Sequence, residues 1–143
     1  MALTDLATRA VTDSLPKVIK PKTHAVLDYA VAGAMFTLGA FFWKRNKRAA
    51  IAAFACGGAT LATSLITDYP GGVKPLISFE THGKIDAGMA GFTATAPTFL
   101  AFGDEDEAKY FRIAALAETV ITGMTDFGAG SGNIVEMPRR DWA

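Results

Sequence analysis

The sequence predicts an all-α fold, a four-transmembrane-helix bundle built from two tandem helical hairpins and preceded by a short amphipathic interfacial helix. Three observations predict it. Charges are confined to short clusters, the neutral tracts between them are about as long as a bilayer is thick, and the pattern recurs once along the 143-residue chain. The balance of composition narrows the function. Fourteen basic residues offset fourteen acidic ones, which excludes a nucleic-acid partner held by bulk positive charge. A single cysteine excludes a disulfide scaffold and a cysteine-based zinc site. A hydrophobic content of 50% excludes disorder.

Taken in order, residues 3–15 come first. Leu3, Leu6, Ala10 and Val11 share one helical stripe while Asp5, Arg9 and Asp13 lie elsewhere, and Pro16 ends the segment. Charge appears too early for a signal peptide. The first span is neutral over 29–43 and extends back to His24, about 20 residues or ~30 Å of helix. The second covers 49–67, and the third covers 87–103 with an extension back to 81. The fourth, 110–125, contains Arg112 and Glu118. Breakers separate them: KRNKR at 44–48, DYPGGVKP at 68–75, GDEDE at 103–107 and FGAGSG at 127–132. One membrane domain of 1–143 follows, with an amphipathic segment (1–22), two hairpin repeats (23–72 and 81–130) and a polar tail (131–143) in which Trp142 is an interface anchor.

A water-soluble bundle helix carries a charged face, and the first three tracts have none. The fourth is marginal. Its apolar residues each favour insertion by ~0.3–0.6 kcal/mol, whereas a central Glu118 opposes it by ~2.5–3.5 kcal/mol. Glu118 must therefore be protonated or face the bundle interior. A soluble bundle is the alternative, and it rests mainly on this segment.

Sliding the chain against itself by 58 positions aligns the hairpins without a gap. Thr23-His24 meets Thr81-His82, Asp28 meets Asp86, and Ala32-Gly33 meets Ala90-Gly91. Thr37 meets Thr95, Phe41 meets Phe99, and Thr67-Asp68 meets Thr125-Asp126. Each half reads T-H-x-x-x-D at a helix start and T-D-[YF] at the next helix end. Two-helix repeats insert from the same side, related by a pseudo-two-fold along the membrane normal. His24 and His82 then share one depth, with Asp28 and Asp86 one turn, ~6 Å, further in. Asp68 and Asp126 return to the same end, so two histidines and four aspartates are expected to converge there.

These residues resemble a known family. H-x-x-x-D-Y with a following glycine (His24, Asp28, Tyr29, Gly33), T-D-Y with a Gly- and Pro-containing link (Thr67, Asp68, Tyr69, Gly72, Pro75), and H-x-x-x-D with Gly91 (His82, Asp86) are similar to the bacterial SPW-repeat membrane proteins. The resemblance covers about residues 16–127. The Ser-Pro-Trp motif itself is replaced by Ala96-Pro97-Thr98 in one repeat and Leu38-Gly39-Ala40 in the other. It implies a small four-span bacterial membrane protein and supplies no activity. A bacterial inner-membrane location follows, and the slight excess of basic residues at the histidine end puts both termini in the cytoplasm.

The polar end admits two classes of role. As structure, Thr23 and Thr81 would be N-caps, the aspartates would complement helix dipoles, and His–Asp hydrogen bonds would lash the hairpins. As a ligand site, His24, His82, Asp28, Asp86, Asp68 and Asp126 would hold a divalent metal, or the histidines would ligate haem. A proton or small-ion route with Glu118 as a deeper station is the third possibility. Glu118 alternatively pairs with Arg112 or hydrogen-bonds to Thr60 or Tyr110. Cys56 reads as a packing residue, Gly39, Gly57 and Gly58 as close helix approaches, and Pro97 as a mid-helix kink. No nucleophilic constellation, phosphate loop or EF-hand is present, and GDEDE reads as a solvated turn. The resulting expectation is a structural or accessory membrane subunit without enzymatic activity, with metal, haem or proton handling as the alternative. Its partners would be the lipid bilayer and other membrane chains, itself included, through small-residue helix faces.

Overall fold

The computed structural model describes residues 13–130, and four α-helices occupy most of that span. They are α1 (Pro21–Phe42), α2 (Lys47–Ile66), α3 (Phe79–Phe99) and α4 (Ala108–Met124), followed by a 3₁₀ turn, Phe127–Gly130. The described residues contain no strand, only two isolated bridges. Helices α1 and α2 are long and apolar enough to cross a membrane. Helices α3 and α4 fall short of that measure, because α3 opens on Glu80, Lys84 and Asp86 and α4 carries Lys109, Arg112 and Glu118 within 17 residues. The expected interfacial helix over 3–15 lies outside the described residues except at its end, where Asp13 and Ser14 are helical. The tail with Trp142 also lies outside them.

Local chemistry sets the helix ends, and not always where the threonines suggested. Pro21 occupies the first turn of α1, where its missing N–H costs nothing, so α1 starts ahead of Thr23. Ser78 caps α3, its hydroxyl accepting from the Thr81 backbone N–H at 3.1 Å. Asn46 caps α2 through the Ala49 N–H, also at 3.1 Å. Helix α3 ends before Gly103. Ala101 adopts φ 55°, Phe102 N–H bonds to the Pro97 carbonyl at 2.8 Å and Ala101 N–H to that of Thr98 at 3.2 Å, a Schellman closure. Pro97 therefore sits in the last turn of α3 rather than mid-helix, and its carbonyl helps to end the helix.

Packing is small inside and large outside. Ala49, Ala50, Ala53 and Ala96 are 0% exposed, grouped with Met35, Phe42, Phe102 and Phe111. Phe41, Ile51, Phe99, Ile113 and Leu116 are more than half exposed. The helices thus approach one another through small residues and carry large apolar side chains outward. Gly57 shows the close approach: a Cβ there would lie 3.0 Å from Met35 Cβ and 3.1 Å from the Ala32 carbonyl oxygen. Gly39 likewise lies under the Phe54 ring, but Gly58 faces open space and marks no helix crossing.

The two hairpins close on each other by contacts that recur at the 58-residue offset. Ile19 N–H bonds to the Met124 carbonyl and Asp126 N–H to that of Ile19, both at 2.9 Å. In the other half, Ile77 N–H bonds to the Ile66 carbonyl at 3.1 Å and Asp68 N–H to that of Ile77 at 2.9 Å. The segment preceding each hairpin thus pairs with the end of the other. At the opposite end the two hairpin turns meet. Asn46 donates its side-chain amide to Glu105, and Arg48 pairs with Glu105 at 2.6 Å. GDEDE is therefore a partner of KRNKR rather than only a solvated turn.

Candidate metal centre

Each histidine lies in the first turns of its hairpin's leading helix and crosses to the other half. His24 Nδ1 lies 2.8 Å from Thr125 Oγ1, and His82 Nδ1 lies 2.7 Å from Thr67 Oγ1. The threonine hydroxyls decide the tautomer. Thr125 donates its only proton to the Ile121 carbonyl at 2.6 Å, and Thr67 donates its own to the Thr63 carbonyl at 2.7 Å. Each hydroxyl must then accept from the imidazole, so both Nδ1 atoms carry hydrogen. A neutral ring with its proton on Nδ1 presents a bare lone pair on Nε2.

Both Nε2 atoms point at one place. His24 Nε2 and His82 Nε2 are 3.2 Å apart. Asp86 Oδ2 is 3.0 Å from each. Asp28 spans the pair, Oδ1 3.2 Å from His24 Nε2 and Oδ2 3.1 Å from His82 Nε2. One ligand atom from each of His24, Asp28, His82 and Asp86 falls within 4.8 Å of the others. With both rings neutral, the two imidazoles and two carboxylates carry a formal charge of −2, which a divalent cation at their centre would neutralise. The spacing fits. Ligands of a tetrahedral ion bound at ~2.0 Å stand roughly 3.3 Å apart, near the 3.0–3.2 Å between the imidazole nitrogens and from them to carboxylate oxygens, with Asp28 meeting each ring through a different oxygen and one ligand atom from each residue within 4.8 Å of the others. A mixed imidazole–carboxylate set suits zinc or a neighbouring first-row transition metal better than calcium or magnesium, which take oxygen. The threonines then hold each ligating ring by its other nitrogen, as second-shell partners do.

The surroundings are aromatic on the rim side. Phe79 and Phe127 both lie 5.3 Å from His24 ring to ring, and Tyr69 lies 5.2 Å from His82. His24 and His82 are 0% and 1% exposed. Tyr69 donates its hydroxyl to Asp28 Oδ2 at 2.8 Å. Burial pushes the Tyr69 phenol well above its ordinary value, which keeps it a donor. At the equivalent place in the second half stands Phe127, which has no hydroxyl to offer Asp86.

Of the six residues expected to converge, four do. Asp68 and Asp126 do not join them, and Thr67 and Thr125 stand in their place. Both threonines are helix C-caps in extended backbone, where successive side chains point to opposite sides. Turning the threonine inward turns the next aspartate away. Asp126 Oδ1 instead accepts from Gly128 and Ala129 N–H, each at 3.1 Å, closing the 3₁₀ turn. The recurrence of threonine in T-D-[YF] was the signal for these braces, and the recurrence of isoleucine at 19 and 77 was the signal for the bridges beside them. A haem does not fit. The ligating nitrogens are 3.2 Å apart, with carboxylates beside them, leaving no plane for a porphyrin. Cys56 lies among packed alanines with Thr93 Oγ1 at 3.7 Å and takes no part.

Glu118 sits deeper. Both its oxygens are buried without a hydrogen-bond partner. Arg112, offered as its partner, bonds instead to the Gly103 carbonyl at 2.9 Å. Six residues apart on one helix, the two side chains face different ways. Glu118 lines a cavity shared with Asp28, Asp86 and Thr60. Comparison of the chain with protein families, curated proteins and solved structures finds no match.

Proposed function

We propose that this chain is a four-span bacterial inner-membrane protein, both termini cytoplasmic, that binds one divalent transition metal, zinc in preference, at His24, Asp28, His82 and Asp86. The observation that carries the metal reading is the pair of threonine-braced imidazoles, whose Nε2 atoms face each other and two carboxylates at 3.0–3.2 Å. Support for the membrane reading comes from two helices of spanning length, from the outward-facing phenylalanine, leucine and isoleucine on α3 and α4, and from the resemblance to the SPW-repeat proteins. Open space around Gly33 and Gly91 suits contact with lipid or with another membrane chain. Metal at this place joins α1 to α3 and so ties the two hairpins together.

A second reading, an accessory subunit in which a shared proton replaces the metal, draws on the same cross-hairpin bonds. One experiment separates the two. The full chain, purified in detergent, is expected to carry one zinc per chain after dialysis against buffered zinc, and the His24→Ala/His82→Ala variant none. Wild-type protein that stays metal-free while the variant merely melts earlier would leave only the structural reading. Recovery of the chain in the supernatant without detergent would end the membrane reading.

A further inference from the structure

The tetrad is closed toward the rim and open toward the bundle interior. On the rim side Phe79 and Tyr69 pack against both imidazoles and Phe127 against that of His24, with Phe79 and Phe127 4.8 Å apart ring to ring. On the interior side Asp28 and Asp86 face the cavity, which has room for a water molecule or a small cation. Glu118 lies on its wall with two buried, unpartnered oxygens. Among the described residues, three carboxylates and no basic side chain line this space. Glu118 also breaks the repeat, since its equivalent at the 58-residue offset is Thr60, on the wall of the same cavity.

Asp86 is the ligand best placed to use the cavity. Asp28 is held by Tyr69 at 2.8 Å, with the Ser64 hydroxyl at 3.4 Å. Asp86 bonds through a single oxygen to the two histidines, and its side chain is 15% exposed against 8% for Asp28. Both aspartates border the cavity, and Asp86 is the less constrained of the two.

We propose that Glu118 is a second cation station, through which a divalent transition metal passes between the cavity and the tetrad. The inference rests on the metal-binding reading above. A carboxylate in a cavity of one sign concentrates cations there, and such fields speed capture. Glu118 thus sets how fast the tetrad fills and empties, while the tetrad sets how tightly it holds.

The test uses the detergent-purified full chain and zinc. Zinc loading is followed by stopped-flow with a chelating dye, and unloading by transfer to excess chelator. The Glu118→Gln variant is expected to bind one zinc per chain, as wild type does, but to load and unload roughly 10-fold more slowly or worse. Glu118→Asp is expected to keep most of the wild-type rate. The Thr60→Glu/Glu118→Gln double variant moves the carboxylate across the pseudo-two-fold to the same cavity. It is expected to recover the rate, which a role of Glu118 in packing alone would not allow. Unchanged rates in Glu118→Gln would overturn the second station and leave the tetrad standing. Loss of zinc from Glu118→Gln with its melting point preserved would also overturn it, making Glu118 part of the tight site. Wild-type protein that binds no zinc would bring down the tetrad reading and this one with it.

Discussion

At the rim, His24 and His82 are buried and meet Asp28 and Asp86 through contacts that recur at a 58-residue offset. At the far end, Arg48 and Glu105 meet with side chains 52% and 40% exposed, and the two turns, KRNKR and GDEDE, share no pattern. Both ends join hairpin to hairpin with charged groups, yet solvent treats them differently. Water screens the outer pair, so its geometry matters little and such a pair contributes only about 0.2–1 kcal/mol. Nothing screens the tetrad. Removing one partner there leaves a buried polar group unsatisfied, which costs about 1–3 kcal/mol and more for a charged one, so each group needs its counterpart at a fixed distance. The repeat is legible in the sequence where the chemistry is dry and lost where it is wet.

That contrast is sharpest at the two threonines. Replacing Thr67 or Thr125 with valine keeps the shape and removes the acceptor for an imidazole N–H. Loss of a second-shell partner of this kind lowers metal affinity about 10–100-fold. Competition of each variant against a zinc-binding dye measures it. Serine at either position restores the acceptor and is expected to stay near wild type. A valine variant of undiminished affinity would mean that the threonines do not fix the Nδ1–H tautomer, and the lone pairs would lose their assigned direction.

At the far end the matching change is Asn46→Ala. Asn46 caps α2 through the Ala49 N–H at 3.1 Å and reaches Glu105 across the hairpins. Loss of such a cap costs about 0.5–2 kcal/mol. Thermal or denaturant unfolding in detergent is expected to register that loss while zinc affinity stays unchanged. A drop in affinity would show that the two ends are coupled through the helices, and the division between them would fail.

Much of this was readable beforehand, for reasons that differ from residue to residue. Helix extents followed from the placement of charge, because KRNKR, the Asp68–Pro75 link and GDEDE stop apolar segments in any solvent. The meeting of His24, Asp28, His82 and Asp86 followed from recurrence with i,i+4 spacing, which fixes a helix face. Asp68 and Asp126 were misplaced because that logic ends with the helix. One residue beyond it the backbone is extended, and inward and outward alternate, so the threonine rather than the aspartate faces the site. The caps were misplaced because Pro21 and Ser78 start helices more effectively than Thr23 and Thr81, which merely lie near the starts. Glu118 was recognisable as an outlier, but its lack of a partner was not, since only the fold shows that Arg112 turns to the Gly103 carbonyl.

The end of α3 is the smallest of these displacements and carries the smallest predicted effect. Gly103 looked like the helix stop, yet the left-handed residue is Ala101, at φ 55°. Phe102 explains the position. It is 1% exposed and meets Phe111 ring to ring at 5.2 Å, so the chain must turn just before it to bring it into the core. Alanine tolerates that turn at a cost of about 1–2 kcal/mol, which glycine escapes. Glycine also loosens the unfolded chain, at a cost of about 0.4–1 kcal/mol. Ala101→Gly is therefore expected to stabilise the protein by about 0.5–1 kcal/mol, with the unfolding midpoint rising and zinc affinity unchanged. A destabilised Ala101→Gly variant would mean that the alanine methyl makes contacts worth more than the strain it causes, and the far end would then be packed as closely as the rim.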